Sequence, residues 1–278
     1  MNVAWWCSAQ KTSWSWLPQY YPGIWAVMLV LLMGYVYAIR RVGPSQVGLG
    51  EPVVTRTQMA SFSAGYLLLW LATDWPIGAL GAGYLLTAHM IQYVTYSFVV
   101  APLLLRGTPP WMLKLVLNAR GMSLLRGLTE RPFLAFVVFN IVLAASHFPF
   151  VADTLKPIQF GQMFLDVLWL VTALAFWTAI GSFDDEEEST LAHSKRLLYI
   201  IGMTLLPTIP AAFFVFSDFP IYTTYEFATR AFGDFSAQED QVAAGLVLWV
   251  GMMPILMFRL ALAFFEWSQA ESRRAGQI

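Results

Sequence analysis

The chain has 278 residues, of which 58% are hydrophobic and only 12% charged. Soluble domains run at about 45–50% apolar and about 25% charged, so this composition, with a mean hydropathy of +0.60, excludes a water-soluble globule. Lys plus Arg number 16 against 17 Asp plus Glu, so no general attraction to nucleic acid is expected. A single cysteine, Cys7, excludes an internal disulfide and any CxxC site for zinc or thiol exchange.

Residues 1–23 carry Trp5, Trp6, Trp14, Trp16, Tyr20 and Tyr21, an aromatic-rich segment of the kind that anchors at a membrane interface. The segment has neither a basic n-region nor an apolar h-region, so no cleaved signal peptide is expected. A crossing helix needs about 20 mostly apolar residues. Seven stretches meet that pattern: Ile24–Ile39, Met59–Thr73, Gly81–Leu105, Pro132–His147, Phe160–Ile180, Leu197–Phe216 and Val242–Trp267. The sequence therefore predicts an all-α fold: one integral membrane domain over 1–278, a bundle of seven transmembrane helices in the lipid bilayer.

Between the third and fourth stretches, residues 109–129 mix Trp111, Leu113, Leu117, Leu124 and Leu125 with Lys114, Arg120 and Arg126. That pattern suits either a broken helix lying on the membrane surface or a basic loop that fixes topology. The acidic run at 184–188 and His193 are expected in a solvated loop. Pro102, Pro207, Pro210 and Pro254 fall inside predicted crossings and are expected to kink them.

Charge fixes the orientation. With the N-terminus outside and the C-terminus cytoplasmic, the inner regions hold twelve of the basic residues, from Arg40 and Arg41 to Arg273 and Arg274. The outer regions hold Lys11, Lys156 and Arg230. Twelve against three obeys the positive-inside rule. Arg259, near the inner end of the last crossing, is expected to snorkel to the same side.

Charged and imidazole side chains inside crossings are costly and mark functional candidates. His89 and Tyr93 lie four apart on one face of the third crossing, and His147 ends the fourth. Gln162 and Asp166, again four apart, open the fifth, while Asp240 and Gln241 precede the seventh. All of them fall in the outer third of the bilayer. Imidazole suits copper, zinc and iron, and thioether suits copper(I), so Met90 and Met163 beside these positions join the candidates. Two readings stay open: a metal-handling site facing outward, and a hydrogen-bonded cluster that fixes helix packing. No Walker loop, GxSxG, zincin or dinucleotide fingerprint occurs, so no enzymatic activity is expected.

Several strings resemble the CtaG family of cytochrome c oxidase assembly factors, seven-span bacterial membrane proteins implicated in copper supply. They are HMIQY (89–93), APLLLRGTPP (101–110), RPFLAFVVFN (131–140), HFP (147–149), TALAFW (172–177), YTTY (222–225) and DQVAAGLVLW (240–249). They run in family order over roughly residues 57–260. The resemblance implies a bacterial inner-membrane protein that helps deliver or insert copper into an oxidase at the outer face. Its partners would be an oxidase subunit or a copper chaperone. It implies copper handling by His89, His147 and Met90, with Asp166 added as a changed ligand, and Tyr93, Gln162, Asp240 and Gln241 as the surrounding polar cluster. Where the family has a second histidine this chain has Tyr93, and the family's later HxxxH pair reads Gln162 and Asp166 here. The alternative is therefore an accessory protein of a respiratory complex that keeps the fold without copper binding.

Overall fold

The computed structural model describes residues 4–10, 12–48, 50–181 and 193–275. The acidic run at 184–188 and the side chain of His193 lie outside them. The described residues form helices and no strand. In chain order these are α1 (Pro22–Ser45), α2 (Arg56–Thr73), α3 (Ile77–Gly83), α4 (Leu86–Gly107), α5 (Pro110–Leu117) and α6 (Ser123–Thr129). They continue as α7 (Pro132–Ser146), α8 (Pro149–Leu155), α9 (Gln159–Ile180), α10 (Ser194–Phe216), α11 (Thr223–Glu226) and α12 (Ala237–Arg273).

Five of these, α1, α4, α9, α10 and α12, are long and apolar enough to cross a membrane. A sixth crossing is reached if α6 and α7, which meet at 111°, count as one. By length and composition alone, five of the seven expected crossings qualify, or six with this bent pair. The shortfall lies at α2, an 18-residue helix whose first turn, Arg56–Thr57–Gln58, is polar. Within residues 109–129 lie the two short helices α5 and α6.

Local chemistry starts the helices. Thr55 and Gln58 exchange hydrogen bonds in a capping box ahead of α2, and Ser236 and Glu239 do the same for α12. Proline opens α1, α5, α7 and α8, where its missing N–H costs nothing. Inside the crossings, proline marks the breaks. A π-helical stretch at Thr95–Val100 precedes Pro102, α10 is interrupted before Thr208, and α12 loosens at Met252 ahead of Pro254.

The most enclosed crossing is α4: 72% of its apolar window is buried, against 11% for α1. It packs against α2, α3, α9 and the first half of α12. Gly107 permits the approach of α2, since a Cβ there would stand 2.6 Å from Phe62 Cα. At the far end of α12, Arg259 is fully buried and bonds Glu266 at 3.0 Å, which also pairs with Arg196. Snorkelling is thus replaced by a buried ion-pair cluster.

The N-terminal segment is not a row of interfacial anchors. Trp16 and Tyr20 are exposed, but Trp6, Cys7 and Tyr21 are buried. Trp5 and Trp6 donate their backbone N–H to Gln159 Oε1 at 2.8 and 3.3 Å, and Ala9 N–H donates to Lys156 O at 3.0 Å. Residues 5–9 therefore strap across the start of α9. Burial raises the Cys7 thiol well above its ordinary pKa, which keeps it protonated, and its Sγ donates to Thr73 O.

Candidate functional site

The strap covers a polar centre built from α3, α4, α9, the end of α7 and the loop after α8. His89, in the first turns of α4, stands 5.3 Å from His147 between ring centroids. Trp169 of α9 packs on both imidazoles, with centroids at 5.2 and 5.9 Å. Tyr93, one turn beyond His89, lies edge-on to His147 at 4.8 Å. These five elements place His89, Tyr93, His147, Gln162 and Asp166 together.

The cation at this centre was not expected there. Counted in sequence as an outer-loop charge, Lys156 is fully buried. Its Nζ lies 2.9 Å from His89 Nδ1, 3.1 Å from Gly81 O and 3.4 Å from Gln162 Oε1. Tyr225 stacks its ring below the ammonium at 5.4 Å and donates its hydroxyl to the same Gly81 carbonyl. Gly81 must be small: a Cβ would sit 3.0 Å from the His89 backbone. Burial lowers the pKa of Lys156, and the Asp166 and Asp153 carboxylates work against that shift.

The partners assign the proton positions. Asp166 accepts from three N–H donors, Trp6 Nε1 at 2.8 Å, Gln162 Nε2 at 2.9 Å and Gln92 Nε2 at 3.5 Å. All three contacts suit an ionised carboxylate, which an ammonium at Lys156 would balance. Gln162 joins the two charges, accepting from Lys156 and donating to Asp166. Lys156 has three neighbours that match the three N–H groups of an ammonium; in that form it takes the one lone pair of a neutral His89 at Nδ1. At His147, Nδ1 lies 2.8 Å from Leu143 O, which can only accept, so Nδ1 carries the proton. The lone pair of His147 is therefore on Nε2, which is buried and without a hydrogen-bond partner among the described residues. An apolar cavity of about 310 Å³, lined by His147 with Ala144, Phe148, Ile209, Phe213 and Ile221, adjoins this residue.

Three candidates stand apart from the centre. Met90 follows His89 by one residue, turns about 100° round the helix, and packs in the apolar core. Asp240 accepts from Leu86 N at 2.6 Å and Thr87 N at 2.9 Å, capping α4. Gln241 accepts from Ile221 N at 2.6 Å and donates to Phe219 O at 3.1 Å, bracing the loop before α11. Sequence reasoning missed Lys156, Trp6, Gln92 and Trp169 as members of the centre. Tyr222 and Tyr225 were visible only as the YTTY string; Tyr222 donates to His147 O at 2.6 Å.

As it stands, this arrangement does not fit a resident copper ion. No three His, Cys, Asp or Glu side chains converge to hold a metal among the described residues. One imidazole lone pair is occupied by Lys156, whose positive charge opposes a second cation.

Several apolar helices around one enclosed polar centre define a multi-pass helical membrane protein. A family model described as cytochrome c oxidase caa3 assembly factor (Caa3_CtaG) matches residues 33–270, and the chain belongs to that family. Among curated proteins and among solved structures nothing matches. Membership makes the protein a cytochrome c oxidase assembly factor.

Proposed function

We propose that this chain supports oxidase assembly in the bacterial inner membrane as a non-catalytic accessory of an oxidase subunit, with a polar centre completed by its own lysine instead of by copper. The observation that carries this reading is the 2.9 Å contact of Lys156 Nζ with His89 Nδ1. An N-terminus outside, as the charge asymmetry favours, puts the centre and the strap at the outer face. Complementation of a deletion strain with His89→Ala or His147→Ala tests it. The expected result is oxidase loss in proportion to loss of this protein. A fall in copper per oxidase at unchanged abundance of this protein would overturn the reading.

One observation favours a second reading, in which copper is cargo on its way to the oxidase, received from a copper chaperone. The lone pair on His147 Nε2 has no partner among the described residues and lies in a residue whose ring is 5.3 Å from His89. Copper(I) titration of the purified protein separates the two. Stoichiometric copper that disappears in the His89→Ala/His147→Ala protein supports cargo handling.

A further inference from the structure

The centre holds a complete set of acceptors around one cation, and that cation is covalently part of the chain. We infer that Lys156 is a tethered ammonium occupying a latent cation site, and that a soft monovalent metal and Lys156 exclude one another there. The inference deepens the reading of a copper-free centre and names the group that keeps copper out.

Three features support it. The ammonium is held by a side-chain nitrogen, a side-chain amide oxygen and a backbone carbonyl, His89 Nδ1, Gln162 Oε1 and Gly81 O. A neutral imidazole offers one lone pair, so His89 cannot bond Lys156 and a metal together. Asp166 supplies one negative charge through Gln162, and this balances a single positive charge, whether ammonium or copper(I). Without Lys156, His89 Nδ1 loses its hydrogen-bond partner, and His147 Nε2 already has none among the described residues. Two imidazole nitrogens at about 2 Å from one ion would then be compatible with rings whose centroids are 5.3 Å apart.

The test is copper(I) titration, against a competing chelator, of the full-length detergent-solubilised protein and of Lys156→Leu. Leucine removes the amine and brings no ligand. Lys156→Leu is expected to bind copper(I) at least about tenfold more tightly than wild type, and adding His89→Ala should abolish the gain. Its thermal midpoint should lie below that of wild type and rise when copper(I) is added. If Lys156→Leu does not fold, Lys156→Leu/Asp166→Asn leaves the empty site neutral and opens the same His89 lone pair. It should still bind copper(I) more tightly than wild type, by less than Lys156→Leu because Asp166 no longer offsets the ion's charge. Folded variants that bind copper no more tightly than wild type would overturn the inference while leaving the copper-free reading intact. Copper retained by wild type, yet bound tenfold more tightly by the variant, would overturn the copper-free reading and support the exclusion.

Discussion

At the residue scale the chemistry turns on Gln162, whose two ends join Lys156 to Asp166. Its i, i+4 spacing to Asp166 is readable in the sequence, as is that of His89 to Tyr93, because helical period alone puts such pairs on one face. Lys156 was not readable. It lies between helices, where no periodicity says which way a side chain points, and its charge argued for water. His89, the Gly81 carbonyl and Tyr225, all distant in sequence, make a dry position tolerable for it together with Gln162 and Asp166. Removing one member of a buried charge pair costs about 3–5 kcal/mol, so Asp166→Asn should markedly lower the thermal midpoint in detergent. Trp6→Phe removes a charge-assisted hydrogen bond worth about 1.5–3 kcal/mol and should lower it less. A wild-type midpoint in Asp166→Asn would show that the pair does not hold the centre together.

Among the elements, α4 is the one that places His89, and its N-terminus lacks a cap of its own. Leu85 offers no side-chain acceptor, so Asp240 supplies it from α12, 154 residues away. This explains why Asp240 and Gln241 looked like members of the polar cluster. Sequence gives depth along a helix but not which neighbour a side chain serves. Helix ends with local signatures were legible, as at Ser236 and Glu239, while a cap borrowed from another helix leaves no local trace. Asp240→Ala strands two buried N–H groups and should cost about 2–4 kcal/mol. Ser236→Ala removes a more exposed cap worth about 1 kcal/mol. Thermal unfolding of the two proteins checks the ranking, and equal losses would show that Asp240 does no more than an ordinary cap.

For the whole molecule, parity links the charge pattern to the helices. An N-terminus outside and a C-terminus inside require an odd number of crossings. By length and composition five or six helices qualify. The starts of α4 and α9 meet at His89 and Lys156, so those two run the same way, and an N-terminus outside then needs both α7 and α2 to cross. The all-helical membrane fold was legible from composition, because runs of apolar residues report crossings directly. The second expected crossing, α2, has a polar first turn and falls short on length and composition alone. A reporter that matures only in the cytoplasm should be active when fused after Ile278. One active only outside the membrane should be silent there. The reverse pattern would overturn the orientation.

The strap also sets a timetable. Trp6 and its partner Asp166 are 160 residues apart in the chain. At about 5–20 residues per second of synthesis, roughly ten to thirty seconds separate their appearance. Throughout that interval, segment 5–9 has neither Gln159 nor Asp166 to hold it, and the aromatic rings of Trp5 and Trp6 must be accommodated elsewhere. The centre is therefore among the last parts of the molecule to be completed during biogenesis, after most of its scaffold has entered the membrane.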